Sequence, residues 1–443
     1  MNAMQTSPAE RLSYGLSDLA SNLIFAMFGS WIFYFYTDVA GLDAAAIGTL
    51  FLIARCIDAF DGPVFGLMID HTRSRYGKCR PWFLWLALPV AAIFFLTFLT
   101  PQFSDTGKFI YACVTYLLLS IGYSAINVPV TAILPSLTSD PQERTILVTI
   151  RMVCAAAGTA IISLTVLPTV NYLGEGDQAR GFMWLALILS LLILSLFLIT
   201  FKNLRERVIP INKEEKLDAK TLLFVVRNNR PWIVLVLFVF FYFMIFMIKM
   251  QSTVYYMTYN FGRQDLTSAV LGCSSLSIIA TLFIPLLTGK FSKKGLMITG
   301  LLIFAAGQLL MWLACNAQLI PVLFTGAITG GLGMGIIQPI LFTMVADTVD
   351  YSERKTGIRA QGFLSSAPTM GVKTGMGLGG ALSGWLLAAG GYVAGATQTS
   401  RALDAITLSF IWLPIGGALL AAIIMTFYNP DDRVHQTQSA YSK

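Results

Sequence analysis

The chain has 443 residues, 56% hydrophobic and only 12% charged, with a formal net charge of +7 and mean hydropathy +0.70. A soluble domain carries about 25% charged residues, so a soluble globular protein is excluded. The basic balance is read as membrane topology, with lipid as the surroundings and no nucleic-acid partner.

A bilayer-crossing helix needs about 20 mostly apolar residues. The sequence offers twelve such stretches, at 13–37, 44–69, 81–100, 108–136, 147–171, 181–201, 231–258, 267–289, 295–314, 320–347, 361–389 and 405–428. Strands of a membrane barrel would alternate over about 10 residues, and these stretches do not. The expectation is an all-α membrane protein with 12 transmembrane helices. The first stretch is too long for a signal-peptide core and is followed by no small-residue cleavage pattern, so it stays as span 1.

Loops numbered alternately from an inside N-terminus leave Lys108, Arg180, Arg263 and Arg401 outside. Arg55, Arg151, Lys249 and Lys373 lie within spans, and the remaining Lys and Arg fall inside. By the positive-inside rule both termini are expected in the cytoplasm of a bacterial inner membrane. The six cysteines are scattered without a CxxC pair, and His71 and His435 lie in cytoplasmic segments. No disulfide framework, metal site or cofactor is expected. No nucleophile–base pair occurs in a span, so the chain does not read as an enzyme.

A hydrophilic stretch at 202–230 separates the spans six and six. The expected organisation is a bundle over 1–201, a linker over 202–230, a second bundle over 231–428 and a tail over 429–443. The halves echo each other: Asp140-x-x-Glu143-Arg144 follows span 4, and Asp350-x-x-Glu353-Arg354 follows span 10. The basic turn from Arg73 to Arg80 after span 2 is matched by Lys290, Lys293 and Lys294 after span 8. Two parallel six-helix repeats around a midplane site are the architecture of the major facilitator superfamily. Gly375-Met376-Gly377-Leu378-Gly379-Gly380 formally matches a dinucleotide fingerprint, which requires a preceding strand. Here Gly371, Gly375 and Gly379 recur every four residues within an apolar span, the pattern of close helix–helix packing.

Charges inside spans are costly and mark ion or substrate paths. Asp58 and Asp61 stand at i and i+3 on one helix face, with Arg55 one turn before Asp58. Lys249 and Lys373 are the bases of the second half. Structural pairing of Arg55 with Asp58, or of Lys249 with Asp18, is the plain alternative to a functional role.

Longer segments carry a resemblance: LSYGLSDLASN and FYTDVAGL in span 1, LFLIARCIDAFDGP in span 2, TRSRYGKCRPW after it, and MVADTVDYSERKTGIRAQG after span 10. The chain resembles the glycoside–pentoside–hexuronide:cation symporter family over nearly its whole length. That resemblance implies a secondary transporter moving a sugar with a cation, H⁺ or Na⁺, and working as a monomer. Asp58 matches a cation-site acid of the family, while Gly62 stands where sodium-coupled members carry a second Asp before the proline. Asp61, one position earlier, shifts the expectation toward protons.

Where the melibiose permease of this family binds a neutral sugar with two acids, this chain has Asn22 and Asn127. Lys373 matches the family's span 11 lysine, and Arg151 matches an arginine beside the sugar-site acids. Lys249 and the run Asp18-x-x-x-Asn22 look more like the glucuronide and sulfoquinovose carriers. Tyr123 shares a face with Asn127, and Gln338 replaces a cavity tryptophan. The resemblance with these departures implies an anionic sugar, a uronide or a sulfonated sugar. A neutral glycoside or pentoside symporter, or an efflux carrier, remains open. Asp70, Arg73, Arg80, Glu143, Arg144, Asp350, Glu353, Arg354 and Arg359 are expected in cytoplasmic loops as a gate of weak salt bridges.

Overall fold

The computed structural model describes residues 6–138, 140–207, 219–274, 276–357 and 361–429. Among them all regular structure is helical. The helices are α1 (Pro8–Val39), α2 (Ala44–His71), α3 (Arg80–Thr97), α4 (Asp105–Ala132), α5 (Pro141–Gly174) and α6 (Gln178–Asn203) in the first half of the chain. The second half has α7 (Arg230–Asn260), α8 in two pieces (Thr267–Ser274 and Ser277–Thr288), α9 (Lys293–Ala317), α10 (Ile320–Thr356), α11 (Gln361–Ala389) and α12 (Ser400–Thr426). Every expected span is thus helical. Among the described residues, nine helices are long and apolar enough to cross a membrane. The glycine-rich segment lies inside α11, so no strand precedes it and no dinucleotide loop forms.

The ends of these helices follow from local chemistry. Ser7 and Glu10 form a capping box at α1, each side chain accepting a hydrogen bond from the other's backbone N–H, with Pro8 at the first position. Asp43, Ser104, Asp177 and Ser292 cap α2, α4, α6 and α9 with their side-chain oxygens. α10 runs on past its apolar stretch until Gly357, at φ 71°, turns the chain and donates to Glu353 O.

That continuation corrects one expectation. Asp350, Glu353 and Arg354 occupy the last turns of α10, and Glu143 and Arg144 the first turns of α5. Arg80 opens α3, and Asp70 closes α2. Among the described residues of this set, only Arg73 lies between helices as expected. Helix propensity and a terminal cap decide where these helices stop, whereas hydropathy marks only where lipid contact stops. Part of the expected linker is also helical: Ala219–Asn228 is an amphipathic helix. Its Val225 packs with Trp232, Val349 and Leu364, and Trp232 Nε1 donates to Leu364 O at 2.8 Å.

The described residues form two compact units. One gathers the first 213 residues with 250–275 and 380–407; the other contains 214–249, 276–379 and the chain from 408. In the first unit α1 packs on α5 and α6, α3 on α4 and α6, and α2 on α4. In the second, α9 packs on α10 and α12, and the Ser277–Thr288 piece on α10.

Glycines explain how closely these helices approach. A Cβ on Gly158 of α5 would lie 2.9 Å from Leu19 O of α1. In the second unit a Cβ on Gly375 or Gly379 would meet the carbonyl oxygen of Phe240 or Met244 closer than any carbon can approach, and Gly371 faces Val239 at 3.3 Å. The four-residue glycine repeat is therefore the α7 contact of α11, as its spacing predicts.

Candidate functional site

Two helical faces build the centre of the first unit. Gly15, Asp18 and Asn22 fall on one face of α1 at i, i+3 and i+7, and Arg151, Cys154 and Gly158 on one face of α5 at the same spacing. A Cβ on Gly15 would stand 2.7 Å from Cys154 Sγ, so the two faces are in close contact. Between them Arg151 Nε lies 3.2 Å from Asp18 Oδ1. Asn22 Nδ2 donates to Asp18 O at 2.8 Å, a bond within its own helix.

A second ion pair lies on α2. Arg55 Nη1 donates to Asp58 Oδ2 at 2.8 Å, and Ser120 Oγ of α4 stands 2.8 Å and 3.0 Å from the two carboxylate oxygens. Asp58 and Asp61 are buried, at 2% and 8% exposure. Taking a charge from water costs several kcal/mol, offset only by a well-placed partner and further hydrogen bonds. The Arg55–Asp58 pair, with Ser120 on its carboxylate, meets that condition.

Tyr123 stands where the two pairs come together. Its ring stacks on Phe25 at 6.5 Å, its hydroxyl hydrogen-bonds to the Asn127 side chain, and the charged groups of Asp18, Arg55 and Arg151 lie near it. Ser120, Tyr123 and Asn127 share one face of α4. The arrangement offers hydroxyl, amide and paired-ion groups inside an apolar bundle, which suits hydrogen bonding to a polyol. Its charges are mutually compensated, Arg55 by Asp58 and Arg151 by Asp18.

The second unit holds the other cations. Lys249 of α7 is buried, its Nζ 4.9 Å from the Phe304 ring centroid. The ammonium also stands 3.5 Å from where a Cβ on Gly330 would be. An ammonium over an aromatic face is stabilised by the ring quadrupole, which lets Lys249 stay in an apolar bundle. Lys373 is half-buried on α11, and Gln338 is exposed on α10.

The expected gate residues that bond do so within their own half of the chain. Arg11 makes a two-pronged pair with Glu143 at 2.8 Å on each arm, and Thr6 also donates to that carboxylate. Burial pushes the Glu143 carboxyl up, but Arg11 and Thr6 outweigh it and hold it below the usual carboxylate range. Arg80 donates to Phe201 O at 2.9 Å, Arg144 to Thr138 O at 2.9 Å and Arg354 to Asp350 O at 3.2 Å. The Asp70 side chain and Arg359 lie outside the described residues.

Among the partners not singled out from the sequence are Ser120 and Phe304. Ser120 was detectable, since it precedes Tyr123 by three residues and so faces the same way. Phe304 was not, because one phenylalanine in an apolar helix looks like any other.

The sequence matches the MFS/sugar transport protein family over residues 13–432. It is 42% identical over 425 residues to the isoprimeverose transporter of Lactiplantibacillus pentosus, covering 96% of this chain and 89% of that one. It is 34% identical over 417 residues to the putative glycoside/cation symporter YagG of Escherichia coli strain K12, covering 93% and 89%. Among solved structures, that of the nucleoside transporter NupG superposes with a TM-score of 0.61 at 18% identity, over 95% of this chain and 100% of that one. That likeness is one of fold.

Proposed function

The chain belongs to the MFS/sugar transport protein family, a family of multi-pass membrane carriers, and from that premise we propose that it carries an uncharged glycoside across the cytoplasmic membrane in symport with a cation. The observation that carries this reading is the Arg151–Asp18 pair. The arginine that would have met a substrate anion is already neutralised by a buried carboxylate, as Arg55 is by Asp58. An isoprimeverose transporter among the relatives supports the same choice, since isoprimeverose is uncharged. Asn22, Tyr123, Asn127, Arg151 and Asp18 are the proposed sugar contacts of the first unit.

Cation coupling is assigned to α2. Asp58 accepts hydrogen bonds from Arg55 and Ser120. A proton or sodium ion arriving there cancels the carboxylate charge and leaves the Arg55 guanidinium to find other acceptors, which a sugar hydroxyl can provide. Cation loading thereby prepares the sugar contacts. With an uncharged sugar and one cation, each cycle moves one net charge, worth roughly 2.3 kcal/mol per 100 mV. Uptake is then electrogenic.

A second reading, an anionic uronide or sulfonated sugar, is favoured by the buried Lys249 of the second unit. A monoanion with one proton would move no charge. Proteoliposomes given isoprimeverose, a glucuronide or sulfoquinovose, under inward proton or sodium gradients, separate the two readings. Isoprimeverose uptake with inward current supports the first. Accumulation of only the anionic sugars, lost in Lys249→Ala, replaces it with the second.

A further inference from the structure

The ends of α1 and α7 remote from their N-termini are built alike. Each closes in a five-residue π-helical turn, Phe35–Val39 and Tyr256–Asn260, followed by a glycine at φ +73°, Gly41 and Gly262. The backbone bonds match as well. Ala40 N donates to Phe35 O and Phe261 N to Tyr256 O, while Leu42 N donates to Tyr36 O and Arg263 N to Met257 O, all at 2.8–2.9 Å. The sequences align as Thr37-Asp38-x-x-Gly41 and Thr258-Tyr259-x-x-Gly262. Asp38 and Tyr259 therefore hold equivalent places in the two halves of the chain, one an acceptor and the other a donor.

Those two side chains meet. Asp38 Oδ1 accepts from the hydroxyl of Tyr259 and, at 2.6 Å, from that of Tyr392, which lies just past the end of α11. The two phenols are themselves 3.1 Å apart. Asp38 Oδ2 accepts from Thr37 at 2.8 Å, and Tyr255 stands 2.5 Å from the Thr37 hydroxyl. The rings pack edge to face, Tyr255 on Tyr392 at 5.4 Å and Tyr259 on Tyr392 at 5.5 Å. All of these residues lie in the first unit.

We propose that Asp38, Tyr259 and Tyr392 form the latch that holds the ends of α1, α7 and α11 together and closes this end of the carrier. The inference rests on the transport reading only in supposing that these ends separate during a cycle. The chemistry suits a contact that must open. Hydroxyl–carboxylate bonds are charge-assisted and directional, yet breaking them separates no ion pair in a low-dielectric interior. π-helical turns are frequent at functional sites, and bulges of this kind are among the places where helices bend. One at each partner places the flexible turn beside the bond that breaks.

The test is cysteine accessibility. Ser252 is buried on α7, about two turns before Tyr259. Ser252→Cys, in protein lacking the native cysteines, is treated with a charged methanethiosulfonate reagent applied to each face of the membrane in turn. From the latch side, Tyr259→Phe, Tyr392→Phe and Asp38→Asn should each raise the labelling rate about tenfold, with labelling from the other face unchanged or slower. Combining Asp38→Asn with Tyr392→Phe should add little to the larger single effect. Unchanged rates in all three single variants would overturn the latch, as would faster labelling from both faces together with a lowered melting temperature. Sugar uptake is read separately. Wild-type protein that moves no sugar, with latch variants that still label faster, contradicts the transport reading and leaves the latch standing.

Discussion

Arg151 shows how one ion pair decides between readings. Asp18 is buried against it, so Arg151→Gln strands a carboxylate in an apolar seam. Thermal unfolding should show a loss of about 3 kcal/mol, and Asp18→Asn in the same chain should recover part of it. An arginine reserved for a substrate anion behaves differently: its loss abolishes transport with little change in melting, and the second substitution rescues nothing. Glu143 gives a pH signature. Its carboxyl is held below the ordinary range, so its pairing with Arg11 stabilises the fold fully above that range and is lost as pH falls through the lowered value. In melting curves across acid pH the wild type should lose more stability than Glu143→Gln, which carries no titrating group there. Equal pH dependence would show that the pair contributes nothing.

Helix by helix, the glycines set which contacts tolerate change. A Cβ at Gly379 runs into the backbone oxygen of Met244, whereas Gly66 of α2 has nothing within 4 Å of where its Cβ would sit. Gly379→Ala should cost about 2 kcal/mol by overpacking, and Gly66→Ala should be neutral or slightly stabilising. A melting scan in detergent checks both. The glycine repeat of α11 and the helical spans were legible because they depend on spacing within one segment. The partner of Arg151 was not, because α1 and α5 are brought together by Gly15 and Gly158, and nothing local in the sequence states which helices touch. The extent of α10 past its apolar stretch was misjudged for a different reason: hydropathy reports lipid, and the cap at Gly357 reports the helix end.

For the whole molecule, the repeat seen in the two acidic–basic motifs reappears as matched helix ends at Gly41 and Gly262. Repeats of this kind place equivalent groups where the halves of a carrier exchange partners. Asp38 and Tyr259 escaped the sequence reading because an aspartate and a tyrosine do not look equivalent until their backbones are compared. The coupling role proposed for Asp58 ties these scales together, and uptake by reconstituted protein tests it most directly. Under an inward cation gradient and a negative interior, wild-type proteoliposomes should concentrate isoprimeverose with an inward current. Asp58→Asn should still exchange the sugar across the membrane but fail to concentrate it. Concentrative uptake by Asp58→Asn at the wild-type level would contradict the account.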